Sequence, residues 1–270
     1  MDAIRIEQTP EGNMGTDLLY EVKGQTAWMT INRESRRNAI SQGVMIEMME
    51  RLEQIEKDSE VRAICFTGVG DKIFCSGADL GSNFFGESNV IESAHNYALL
   101  LKKLSRTPKP IVARVNGPCL AGGLGFMLSC DIVIARNDAW FSTPEVNVGI
   151  WPMMVGALLY RNLSRKKAIE MVLTARRISA AEAEQIGLIT MAVPPDKLDA
   201  KVNEVLDGLV QKSPIGLAIG KRAFYKMADL PFEDALDYLA DQLIAISKTE
   251  DAAEGIAAFA EKRKPLYKGK

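Results

Sequence analysis

The stretch Phe74-Cys75-Ser76-Gly77-Ala78-Asp79-Leu80 decides the reading of this chain, together with Gly117-Pro118-Cys119-Leu120-Ala121-Gly122-Gly123 about forty residues later. Each places small residues just after an apolar, strand-like run: Ala63–Phe66 precedes the first and Ile111–Val115 the second. Small residues let a ligand approach the backbone closely, and a helix start leaves N–H groups unpaired. Either turn alone reads equally as an ordinary strand-to-helix connection. Facing each other, the two would aim two backbone donors at one developing negative oxygen.

Around these turns the sequence alternates between strand and helix patterns. Leu18–Val22 and Thr26–Ile31 read as strands, with Lys23-Gly24 in the turn between them. Ser41 caps a helix running to about Lys57, with Val44, Met45, Met48, Leu52 and Ile55 on one face. Val61–Thr67 reads as a buried strand, and Glu87–Arg106 contains an amphipathic helix stopped by Thr107-Pro108-Lys109-Pro110. A strand from Ile111, a helix over Gly122–Ser129 and a strand at Ile132–Ala135 follow. Beyond Pro152 the patterns are helical: Val155–Leu163, Arg165–Thr174, Ala180–Gln185, Pro195–Gln211, Pro214–Met227, Phe232–Ser247 and Asp251–Lys262, with Ser164, Ser179 and Ser213 marking starts. The pattern predicts an α/β core with a helical C-terminal module. The expected division is an N-terminal extension over 1–16, a core over 17–200 and the helical module over 201–270.

Bulk properties narrow the partners. The chain has 270 residues, 47% apolar and 25% charged, with a formal net charge of −2. That is a globular composition with no electrostatic case for nucleic acid or an anionic membrane. The four cysteines lack metal-ligand spacing and read as buried free thiols. Asp2, Arg5 and Glu7 stand where a signal peptide would be apolar, and no stretch has the length of a membrane span, so the expected location is cytoplasmic. His95, the only histidine, falls mid-helix and supports neither a catalytic triad nor a metal site.

Further segments carry a family resemblance. Thr30-Ile31-Asn32-Arg33 with Arg37-Asn38-Ala39, the two turns, Phe141-Ser142-Thr143-Pro144-Glu145 with Gly149-Ile150, Ile178–Ala183 with Gly187-Leu188, and Asp251–Gly255 with Phe259–Lys264 occur in order. So arranged, they resemble the crotonase (enoyl-CoA hydratase/isomerase) superfamily. The resemblance implies a ββα spiral core, a C-terminal trimerisation module, assembly as a homotrimer or hexamer, and an acyl-CoA substrate. Coenzyme A would arrive as part of that thioester, with no other cofactor and no metal.

Residue by residue, the resemblance assigns the N–H groups of Ala78 and Gly122 to the thioester oxygen and Glu145 to acid/base work. Arg37, Ala39, Ser76, Asp79, Leu80, Gly125 and Trp151 fall at substrate-binding positions. Asp79 is further expected to satisfy free N–H groups at a helix start, and Asp131 resembles a structural aspartate. Met153 and Met154 read mainly as core, with an acyl-pocket role open.

One departure matters. Hydratases of this family use two glutamates to hold a water, the first three residues after the oxyanion-hole glycine. Here that position is Gly125, and neither Leu124 nor Phe126 supplies a carboxylate. A single carboxylate can shuttle a proton between carbons, which favours double-bond isomerisation. An atypical hydratase and a silent CoA-binding homologue are the alternatives. The glycine also vacates volume for a bulkier acyl group or for a residue from a distant helix.

Overall fold

The computed structural model describes residues 16–79 and 87–270. The expected N-terminal extension lies almost wholly outside the described residues, as does Leu80. In chain order the elements are β1 (Leu18–Lys23), β2 (Thr26–Ile31), α1 (Gln42–Lys57), β3 (Ala63–Gly68), α2 (Glu87–Arg106), β4 (Ile111–Val115), β5 (Cys119–Leu120), α3 (Gly122–Leu128), β6 (Ile132–Arg136) and β7 (Trp140–Ser142). They continue as α4 (Met153–Asn162), α5 (Arg165–Thr174), β8 (Ile178–Ser179), α6 (Ala180–Gln185), β9 (Met191–Val193), α7 (Leu198–Val210), α8 (Pro214–Met227), α9 (Phe232–Ser247) and α10 (Glu250–Ala260).

Two sheets organise this α/β chain. The larger has the order β1-β2-β3-β4-β6-β9, antiparallel only between β1 and β2. The smaller is β5-β7-β8. Every residue of β3 is buried, as expected for a parallel strand covered on both faces. Its side chains alternate between two cores. Ile64 and Phe66 join the main core with Met48, Leu52 and Ile55 of α1 and Phe126 of α3. Ala63 and Cys65 face a second core with Val112, Ile134 and the α7 residues Leu198, Val202, Leu206 and Val210.

Several expectations are corrected. β5, β7, β8 and β9 are strands of two or three residues, too short to show an alternation in sequence. Helix α4 begins at Met153, not Val155. The boundary placed at residue 200 falls inside α7, whose apolar stripe covers the large sheet. Ser41, Ser179 and Ser213 accept from Val44, Glu182 and Gly216 as helix caps, whereas Ser164 makes no capping bond.

Two buried asparagines fix the loops at the ends of these strands. Asn38 donates to the carbonyls of Val69 (3.0 Å) and Ile73 (2.9 Å). Asn116 donates to those of Gly68 (2.9 Å) and Gly70 (2.7 Å). Asp131 accepts from the Ile111 amide (2.7 Å), the Lys221 ammonium (2.6 Å) and the Tyr225 hydroxyl (3.0 Å), which ties α8 to the start of β4. This is the structural role expected of it. All four cysteines are buried and free; burial pushes the Cys75 thiol up to about 12.

Candidate active site

The two small-residue turns meet. The backbones of Cys75 and Cys119, and of Ala78 and Ile40, pair as isolated parallel β-bridges, so the first turn is clamped between the segment leading into α1 and the second turn. The Leu120 amide donates to the Cys75 carbonyl (2.9 Å), and the Ala121 amide donates to the Ser142 carbonyl (3.0 Å). Contact is close at Gly77, which has φ +99°. A Cβ there would lie 2.8 Å from the Ala121 Cβ and 2.9 Å from the Gly122 nitrogen. Likewise a Cβ on Gly122 would be 3.3 Å from the Ala78 nitrogen.

The amides of Ala78 and Gly122 are therefore neighbours, and neither has a hydrogen-bond partner among the described residues. Gly122 opens α3, where the first-turn amides have no intrahelical acceptor. Ala121, just before it, holds φ +50° and ψ −130°, an unusual backbone state for a non-glycine residue. Together these features form a backbone concavity with two free donors, suited to an anionic oxygen.

Both turns open into a cleft of about 830 Å³. Ser76, Asp79, Trp151 and Glu145 also line it. Glu145 sits in a one-turn 3-10 helix (Pro144–Val148) entered from buried Thr143, which donates to the Met171 carbonyl (3.2 Å). The Glu145 Oε2 is buried with no hydrogen-bond partner. Burial raises its pKa above the ordinary 4.5, against a smaller lowering by its own backbone amide. Asp79 is engaged elsewhere: Arg33 donates to it at 2.7 Å, while also donating to the Ala39 carbonyl (2.6 Å) and pairing with Asp17. Asp79 thus serves as an ion-pair partner, and the residues whose amides it was expected to satisfy lie outside the described residues. Among the described residues the remaining carboxylate at the cleft is Glu92, on the exposed side of α2.

Other expected residues separate. Arg37 is exposed, with φ +54°, and its carbonyl accepts from the Ser76 amide (3.2 Å), so it adjoins the first turn without lining the cleft. Ala39 is buried behind it; Ile40, Ser41, Gln42 and Met45 provide that wall instead. Met153 is 70% exposed and lines the cleft, correcting its reading as core, while Met154 packs on the core and also reaches the cleft. His95 is exposed and hydrogen-bonds the Ile91 carbonyl of its own helix.

Sequence reasoning missed Tyr97. It is 8% exposed, lines the cleft, and donates to the Gly122 carbonyl. A Cβ on Gly125 would overlap its hydroxyl and lie 3.3 Å from its Cζ and from the Val155 Cγ2. The volume vacated at Gly125 is filled from a distant helix, one of the two outcomes foreseen. Gly125 itself is buried beneath that ring and does not line the cleft.

Among the described residues no helix is long and apolar enough to cross a membrane. No group of three or more His, Cys, Asp or Glu side chains among them is placed to hold a metal ion.

Known proteins share this arrangement of elements. The short-chain-enoyl-CoA hydratase of Clostridium acetobutylicum is 34% identical over 253 residues, covering 92% of this chain and 96% of its own length. The carnitinyl-CoA dehydratase of Escherichia coli K12 is 31% identical over 262 residues, 95% of this chain and 100% of its own. The crystal structure of an enoyl-CoA hydratase from Bacillus anthracis superposes with a TM-score of 0.91 at 30% identity, covering 94% of this chain and 100% of that one. The sequence model of the enoyl-CoA hydratase/isomerase family matches residues 21–270. On fold, site and sequence together, the chain belongs to the enoyl-CoA hydratase/isomerase family and is an acyl-CoA enzyme of that crotonase superfamily.

Proposed function

We propose that this enzyme moves the double bond of an enoyl-CoA through a thioester enolate. The observation that carries this reading is Glu145, the one carboxylate among the described residues that is buried at the cleft with an unpartnered oxygen. Glu145 has an unpartnered oxygen at the cleft, Asp79 is bound to Arg33, and no carboxylate stands at position 125. Ionised Glu145 takes the α-proton of a 3-enoyl-CoA. The electrons pass to the thioester oxygen, which accepts hydrogen bonds from the Ala78 and Gly122 amides. The same carboxyl then returns the proton to the γ-carbon, giving the conjugated 2-enoyl-CoA, with no net change in atoms or charge. Coenzyme A enters as part of the substrate, and no further cofactor is used. Ile150, Trp151, Met153 and Met154 give the cleft an adaptable apolar wall for the acyl chain.

The experiment is incubation with a 3-enoyl-CoA and, separately, with crotonyl-CoA, following bond position and water addition. Isomerisation faster than hydration is expected; rapid hydration without isomerisation sinks the assignment. Hydration is the second reading, favoured by the relative from C. acetobutylicum, which is named as a short-chain-enoyl-CoA hydratase.

Assembly belongs to the same reading. Phe224, Phe232, Leu243, Ile256 and Phe259 of the C-terminal helices are exposed, Phe259 by 87%. Such an apolar face suits burial against further copies of the chain. A homotrimer or hexamer is expected by light scattering, with Phe259→Glu shifting the mass toward the monomer. A monodisperse native monomer would exclude this assembly.

A further inference from the structure

The chemistry proposed above leaves Tyr97 without a task, yet the fold holds it at a demanding place. It belongs to the buried stripe of α2 with Leu100, Leu101 and Leu104. Those leucines end in the core, whereas the phenol reaches past them to the oxyanion turn. Its hydroxyl donates to the Gly122 carbonyl, and the Phe126 amide is directed at the phenol oxygen. These two backbone groups are the ordinary partners across the first turn of a helix, so the phenol stands against the first turn of α3. Gly125 lies within that turn. Because its Cβ would overlap the hydroxyl, no side chain larger than hydrogen fits there while Tyr97 keeps its place.

The phenol does not replace a carboxylate chemically. Burial, with the nearby Cys75, Cys119 and Glu145, keeps it protonated well above the ordinary tyrosine range. Its one proton is committed to Gly122, so it offers no base for a water. It does offer bulk at the cleft wall and a brace on the residue whose amide faces the ligand.

We propose that Tyr97 sets the reaction specificity of this site: it fills the position from which a second base on α3 would hold a nucleophilic water, and it braces the Gly122 donor. This rests on Glu145 acting as the single carboxylate. Tyr97 is a positioning residue in that scheme, acting through excluded water and through Gly122.

The test compares the native enzyme with Gly125→Glu, alone and combined with Tyr97→Phe or Tyr97→Ala. Each protein is measured for crotonyl-CoA hydration, 3-enoyl-CoA isomerisation and exchange of butyryl-CoA α-protons into D2O, which requires only enolate formation. Gly125→Glu alone should lose exchange and gain no hydration, since two side chains compete for one space. Adding Tyr97→Ala should raise hydration by about 100-fold over the native enzyme, the scale of one added acid/base group. Adding Tyr97→Phe should give a smaller gain. Equal hydration by Gly125→Glu with or without Tyr97 overturns the proposal. So does a double variant that exchanges α-protons but hydrates no faster.

Tyr97→Phe alone reads the brace without opening the core: kcat should fall roughly 10-fold with KM held, as expected when a donor shifts slightly. Unchanged kcat overturns the bracing role. A native enzyme that exchanges no α-protons removes the enolate reading itself, while native exchange with hydration indifferent to residue 97 removes only the role of Tyr97.

Discussion

Glu145→Gln should abolish turnover by a factor of about 100 to 10,000, the usual contribution of a positioned acid/base group, and should raise the thermal midpoint. Both effects come from the carboxylate oxygen that is buried without a partner. Burial raises the pKa of this group in the fold above its ordinary 4.5. The native state therefore binds the proton more tightly than the unfolded chain does. Above the raised pKa the fold bears the full cost of holding the charge; below 4.5 the carboxyl is protonated in both states and the cost is gone. A neutral amide never incurs it, so the melting difference between variant and native enzyme should shrink as pH falls through that interval.

Activity moves the opposite way. The base must be ionised, so kcat/KM should decline as pH drops through the raised pKa, an acid limb shifted above the ordinary carboxylate range. A pH-rate profile and parallel thermal melts measure both trends. Turnover within a few-fold of native would show that another group moves the proton.

Gly77→Ala should cost about 100- to 1,000-fold in kcat, the range associated with losing one oxyanion donor. A methyl group at residue 77 meets the Ala121 Cβ at 2.8 Å and the Gly122 nitrogen at 2.9 Å, so one turn must move away from the other. The glycine also occupies φ +99°, where an alanine is strained before any contact is counted. The two amides then no longer converge on one point, although each remains a competent donor. Exchange of α-protons into solvent is the direct measurement, because it needs the enolate and no later step. Native exchange rates in a folded Gly77→Ala protein would mean that these turns do not hold the oxyanion.

Legibility in the sequence followed from length and periodicity. The Val44-to-Ile55 stripe of α1 repeats often enough to declare a helix, and Ser41 caps it as read. The residues of β5 or β8 are too few for alternation to be visible, and those strands exist because neighbouring chain pairs with them. The convergence of Ala78 with Gly122 was expected from two separate turns, but the contact that enforces it, Gly77 against Ala121, joins residues distant in sequence and leaves no local pattern. Tyr97 was hidden because its spacing is that of an ordinary core residue on α2. The one usable signal was indirect: Gly125 lacks a side chain where the resemblance leads one to expect one. The ion pair of Asp79 was not legible because its partner, Arg33, lies 46 residues away in sequence.

The alternation of β3 between two cores has a practical consequence for engineering. The oxyanion turns, Tyr97 and the first turn of α3 all belong to or adjoin the core that contains Ile64 and Phe66. Among the described residues the Ala63 and Cys65 side of the sheet packs on α7 and its strand neighbours, in a cluster that contains none of the groups assigned to the chemistry. Heat tolerance and turnover can therefore be tuned on opposite faces of one sheet. Repacking Cys65, Val112 and Val202 adjusts the first while leaving the second to the residues across the strand.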